Sequence, residues 1–279
     1  SISSIYIGMQ RSIENPRFGM IVFATSMLCN TIGNYVLIFG KLGLPALGIT
    51  GAAVATLLSR VVEFVIVVFY AFRCRTMPLM PHAIFHPGAD MPRRFLRYSA
   101  PVLINETLWG TGFSLITVIM GHMAESSDLI AAYTLAGNID RLVTSGLFGV
   151  AAATAVIIGK EIGLGNLKGV YNIGKALCFT ALAFGVLLGL LEYAMFAMLM
   201  RPFVMPLFSL SAVAEHLCSV MLLCYACSIP LHSFSTTMAV GVLRGGGDVN
   251  ASLVIDNVPL WFGCLLYTSP SPRDRTRSR

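Results

Sequence analysis

Three carboxylates lie deep in apolar stretches of this sequence, and each has a carboxamide close by. Glu106 follows Asn105 in "APVLINETLWGTG" (100–112), Asp140 stands two residues after Asn138, and Asp256 is followed by Asn257. Carboxylate and carboxamide oxygens are hard ligands suited to a small cation. A carboxyl group taken out of water also holds a proton more readily. Either property suits coupling to an ion gradient. A charged side chain at membrane depth costs about 2.5–3.5 kcal/mol on insertion scales, so an acid kept there is by default a candidate for an ion or proton path. These six residues are the ion-coupling candidates, with H+ or Na+ as the coupling ion and no other cofactor implied.

The alternatives differ from residue to residue. Asp140 adjoins Arg141, but neighbouring helical residues do not face each other; an Arg from another helix is its structural alternative. Glu106 has no basic residue within a turn on its own helix. Asp256 lies about a turn and a half into its span, near Pro259, where a helix break is expected. Glu63 comes three residues after Arg60, the spacing of a helical ion pair. Glu192 is placed towards one end of its span and is expected to reach the membrane interface. His216 and His232 have the right chemistry for proton carriers, although core histidines are the plainer reading. Trp109, Phe113, Tyr133, Phe234 and Trp261, with Ser233, are candidates for a pocket that takes flat, cationic compounds by stacking and cation–π contact. Packed or lipid-facing rings are the alternative. Met238 and the Met-rich 195–200 suit an adaptable surface or ordinary core.

The elements that must position these groups are membrane helices. Hydrophobic residues make up 56% of the chain and charged residues 11%, against about 25% charged in a soluble domain; mean hydropathy is +0.77. Such a chain cannot cover a water-facing surface of its size, so the fold class is all-α and polytopic. The net charge of +6 bears on orientation and does not point to nucleic acid. The seven Cys are odd in number and mostly lie in apolar runs, which argues against a disulfide framework. The CxxC of Cys224 and Cys227 lies inside "MLLCYACSIPL" and reads as small core residues rather than a redox pair.

A span needs about 20 apolar residues. Residues 1–10 read as the end of one span; spans follow at 18–40, 48–72, 95–123, 128–159, 171–200 and 210–243, and another begins near 250. Arg11, Arg17, the Arg cluster from 73 to 97, Lys160, Lys168 and Arg244 fall on alternate loops, which the positive-inside rule makes cytoplasmic. The Pro-rich stretch 73–94 reads as a linker between two helical halves. Its His82 and His86 are a weak metal signal without a third ligand. A faint repeat, "MQRSIENPRFGM" (9–20) against "VLRGGGDVNASL" (242–253), supports two halves. "GGGD" (245–248) also fits the GxGD pattern of intramembrane aspartyl proteases, but it follows a span and lacks the partner aspartate. The tail "LLYTSPSPRDRTRSR" (265–279) resembles translated adaptor sequence and is set aside from the fold. With Ser1 opening mid-segment, the expectation is a fragment.

Three motifs carry a family resemblance. "NTIGNYVLIFGKLGLPALGITGAAVATLLSR" (30–60), "AAYTLAGNIDRLVTSGLFGVAAATAVIIGKEIGLGN" (131–166) and "VGVLRGGGD" (240–248) occur in the order and spacing of the multidrug and toxic compound extrusion (MATE) transporters, which the chain resembles over residues 1–264. The resemblance implies an incomplete two-bundle fold. Residues 1–72 would end the N-terminal six-helix bundle, 73–94 would be the cytoplasmic linker, and 95–264 would be a truncated C-terminal bundle. It implies export of drug-like, often cationic, compounds by antiport with H+ or Na+, through alternating access. It further implies a monomer in contact with membrane lipid, in a bacterial inner membrane, without enzymatic chemistry. Glu106 is similar to an acid of the family's seventh span, though about one turn nearer Pro101. Ser233 stands where the sodium-coupled members carry a second acid in the tenth span, so Asp140 and Asp256 are left to supply that charge. A lipid-linked oligosaccharide flippase of the same superfamily is the alternative, disfavoured by the scarcity of Arg within the spans. A membrane-embedded enzyme is the alternative of another class.

Overall fold

The computed structural model describes residues 2–41, 43, 45–74, 88, 90–123, 126–198 and 211–265, and these are helical apart from short turns. The chain divides into two compact units, Ser1–Ala89 and Asp90–Arg279. Six helices among the described residues are long and apolar enough to cross a membrane. Their outward faces carry large apolar side chains such as Ile49, Phe69, Leu103 and Leu142. Apolar faces on helices of this length suit the hydrocarbon core of a membrane.

The first unit consists of α1 (Ile2–Ser12), α2 (Pro16–Phe39) and α3 (Gly48–Arg73). Pro16 opens α2, where its missing N–H costs nothing. Gly40 ends it in the left-handed region, with φ 65°. Tyr6, Ile7, Phe18, Val22, Val67 and Ala71 form the core, and the Phe18 and Tyr70 rings stack at 4.0 Å. Glu63 is buried and pairs with Arg60 at 2.7 Å, the local pair expected from the spacing. α2 and α3 approach most closely at Gly51, where an added Cβ would lie 2.6 Å from the Leu37 carbonyl oxygen. Backbone cannot yield as a side-chain tip can, so Gly51→Ala is expected to destabilise this hairpin by roughly 1–3 kcal/mol. Unfolding of the variant in mixed micelles checks this; wild-type stability would show that the helices separate freely.

The second unit begins with α4 (Asp90–Gly121), followed by α5 (Ser126–Gly163), α6 (Leu167–Met195) and α7 (Ala212–Thr236). α7 runs on with wider turns as π1 (Thr237–Arg244). α8 (Val249–Val258) likewise continues as π2 (Pro259–Leu265). α4 starts within the stretch read as linker: Asp90 favours a helix N-terminus and Pro92 is tolerated in a first turn. Most of that linker, with His82 and His86, lies outside the described residues, as does the tail from 266. The break expected at Pro259 does not occur, because the wider π turn accommodates the missing N–H and the ring.

α6 and α7 are drawn together by small residues. An added Cβ at Gly185 would lie 2.8 Å from the Cα of Pro230, and one at Gly189 would lie 2.5 Å from the Ala226 carbonyl oxygen. Close backbone approach of this kind is how membrane helices gain packing without a hydrophobic driving force. Two apolar clusters stack along the α5–α6–α7 seam. One holds Ala132, Ala136, Ile139, Phe196, Cys218 and Leu222; the other holds Val143, Leu147, Leu188 and Ile229.

Candidate functional site

A polar network forms where α4, the end of π1 and α8 meet inside the second unit. Each element is fixed by its own local sequence. Gly241 seats π1 against α5, since a Cβ there would meet Thr154 at 2.7 Å. The next turn carries Gly245 past Ala155. Asp248 then caps α8, its carboxylate accepting from the Ala251 N–H at 3.1 Å. The aspartate of "GGGD" thus serves as a helix cap. Capping sets Ser252 and Asp256, four residues apart, on one face of α8.

Arg244 is the hub. Its Nη1 donates to Glu106 Oε1 at 2.9 Å, its Nη2 to Asp256 Oδ2 at 3.4 Å, and its Nε to Ser252 Oγ at 3.1 Å. The Ser252 hydroxyl donates to Asp256 Oδ2 at 3.5 Å. Asn105 Nδ2 donates to the same oxygen at 3.4 Å. The Asn257 amide donates to Asn105 Oδ1 and, at 2.9 Å, to the Leu253 carbonyl. Asn105 and Asn257 are buried. The side chains of Arg244 and Asp256 are 17% and 15% exposed, and that of Glu106 is 63% exposed. The guanidinium thus bridges one enclosed acid and one open acid.

Four of the six ion-coupling candidates therefore meet: Glu106, Asn105, Asp256 and Asn257. Their pairing is crossed between helices, with Asn105 of α4 serving Asp256 of α8. Arg244 and Ser252 complete the network and escape the sequence reading. The available signal was Arg244 at a span end, taken there only as a marker of orientation. Asp140 and Asn138 lie elsewhere, on α5. Asn138 is exposed while Asp140 is half-buried, because residues two apart on a helix point in different directions. Asp140 has no ion pair or side-chain hydrogen bond among the described residues. Arg141, His232 and Glu192 are within electrostatic range of it. Glu192 does not reach an interface as the sequence suggests; it is fully buried.

The aromatic candidates fall into separate places. Trp109 and Phe113, one turn apart on α4, contact each other at 4.9 Å. π2 packs on the same stretch of α4, with Leu260 against Gly112; Trp261 follows it, its indole N–H buried without a partner among the described residues. Tyr133 is half-buried on α5. Phe234 meets Phe179 edge-on at 6.2 Å. Ser233 is fully buried, and its hydroxyl donates to the Ala181 carbonyl at 2.6 Å, tying α7 to α6.

Comparison with known proteins gives the family context. The MatE family model matches residues 101–260, a stretch that contains the whole Arg244 network and Asp140. A probable multidrug resistance protein NorM of Thermotoga maritima is 26% identical over 263 residues, covering 94% of this chain and 54% of that protein. One of Bacillus cereus is 28% identical over 261 residues, covering 91% and 55%. A multidrug resistance protein NorM of Aliivibrio fischeri is 26% identical over 251 residues, covering 87% and 52%. The chain spans about half the length of the curated relatives it matches.

Proposed function

The chain belongs to the MatE family of multi-pass membrane proteins, and on that premise we propose that it is part of a transporter that exports organic, often cationic, compounds from bacteria. It acts by exchange for inward H+ or Na+, with Glu106 as the coupling carboxylate and the inner membrane as its location. The names of its relatives as multidrug resistance proteins support the substrate class. The observation that carries the reading is the Arg244 network. An acid exposed at span depth is costly against lipid, so Glu106 faces water or the transport path. There it can exchange its hold on Arg244 for a proton or a sodium ion. Asp256 takes up the released guanidinium, supported by Asn105 and Ser252. Ion binding at the open acid thereby changes what holds α4 to α8.

Trp109, Phe113 and Trp261 flank this region and are proposed as the stacking surface for the exported compound. Tyr133 and Ser233 belong to other helix seams, and Ser233 serves packing. The commitment of Arg244 to two acids favours drug export over a flippase, which needs unpaired Arg for a pyrophosphate. The test is accumulation of a fluorescent organic cation in a drug-sensitised bacterial host. Expression from the full-length gene is expected to lower accumulation, and collapsing the ion gradient is expected to restore it. Accumulation unchanged by expression overturns the reading. Replacing Trp109 by alanine is expected to raise the apparent KM for such a cation several-fold, as loss of about 1 kcal/mol of cation–π binding predicts. An unchanged KM removes Trp109 from the path.

A further inference from the structure

Glu192 has no role in the network above, yet no acid among the described residues is more enclosed. Its side chain is fully buried, and both carboxylate oxygens lack a hydrogen-bond partner among the described residues. Its burial is built by the sequence around it. Gly185, Gly189 and Glu192 stand four and then three residues apart, on one face of α6. The two glycines bring that face against the backbone of α7, and Glu192 follows one turn later into the same seam.

The apolar clusters fix what faces it. α5 meets α6 through Val143 and Leu188 in one cluster, and meets Phe196, the residue that caps α6, through Ile139 in the other. Glu192 lies midway between Leu188 and Phe196, and Asp140 lies between Ile139 and Val143. Two acids from different helices are thus held at one level. Tyr225 of α7 lies within electrostatic range of both. Arg141 on α5 and His232 on α7 are within electrostatic range of Asp140, and Tyr133 on α5 and Cys218 on α7 are within range of Tyr225. Arg141 is exposed, so it does not neutralise Glu192. A buried carboxylate with no donor is strongly disfavoured unless something positive joins it.

We propose that Glu192 and Asp140 form a cation site of the second unit, separate from the Arg244 network, that takes one monovalent cation, a proton or a sodium ion, on carboxylate oxygen. The side chain of Tyr225 borders the site, and the Gly185–Gly189 packing closes it on the α6–α7 side. The site does not depend on the export reading, because it is defined by binding.

Infrared difference spectroscopy of the purified chain in lipid nanodiscs tests it. One arm steps the pH in sodium-free buffer, and the other adds sodium chloride against choline chloride at fixed pH. Wild type is expected to lose the carbonyl stretch of a protonated carboxylic acid in at least one arm, and the responding arm identifies the cation. Glu192→Gln is expected to abolish that signal, and Asp140→Asn to shift the pH or sodium concentration at its midpoint. Glu215→Gln, an exposed acid in the first turn of α7, is expected to leave it unchanged. The proposal is overturned if wild type gives no carboxyl signal in either arm, or if the signal persists in Glu192→Gln. Should Glu192→Gln lose its helical circular dichroism, Asp140→Asn decides: an unshifted midpoint overturns the site. Failure here leaves drug export standing, and failure of drug export leaves this binding signal intact.

Discussion

Replacing Arg244 by alanine is expected to lower the stability of the chain by about 3 kcal/mol, the cost of stranding the acid of an enclosed ion pair. The loss comes from Asp256, not from Glu106. Asp256 is 15% exposed and, among the described residues, keeps only Ser252 and Asn105 as donors once the guanidinium is gone. Both of those donors are neutral and lie at 3.4–3.5 Å, so they replace little of a charge-assisted bond. Glu106, 63% exposed, loses a contact of the kind worth at most about 1 kcal/mol. A double-mutant cycle separates the two arms. Adding Asp256→Asn to Arg244→Ala is expected to recover about 2 kcal/mol, since the stranded charge disappears. Adding Glu106→Gln is expected to recover almost nothing. Reversible unfolding in mixed micelles gives all the values, and equal recovery by the two second mutations would contradict the asymmetry.

That asymmetry also shows what could be read from the sequence and what could not. Features set by local spacing were legible. The helix positions followed from hydropathy, and the Arg60–Glu63 pair from its three-residue separation. The three acids stood out because charge is rare at span depth. Their partners did not, because they are chosen by packing over long separations: Arg244 lies 138 residues from Glu106 in sequence. The expected pairing of each acid with its neighbouring Asn fails for a simple reason. Adjacent side chains on a helix diverge, so Asn105 turns to Asp256, and Asn257 turns to Asn105, across the α4–α8 contact. Glu192 was misplaced on similar grounds. Its depth in the chain suggested a span end, but whether an acid reaches a surface depends on what packs over it. Here two glycines bring α7 down onto that face.

Glu106→Gln is expected to reduce gradient-driven export to the level of the empty host while leaving the fold intact. Gln keeps the size of the side chain and can still accept one hydrogen bond from Arg244, so the α4 contact persists. The charge that a proton or sodium ion would neutralise is gone, and the side chain is fixed in the equivalent of the ion-bound state. Coupling requires that this state be entered and left in each cycle, so a residue locked in it binds substrate without using the gradient. Stability is expected to change by less than about 1 kcal/mol, because the pair is exposed. Asp256→Asn behaves differently. It leaves Glu106 able to exchange but removes the acid that receives Arg244, so it is expected to slow export rather than abolish it. Efflux of a preloaded organic cation, started by an imposed proton or sodium gradient, measures both variants against wild type. Wild-type export by Glu106→Gln would place the coupling carboxylate elsewhere. Among the described residues of this unit, the acid pair of Asp140 and Glu192 would then be the remaining carboxylates held at span depth with no Arg bound between them.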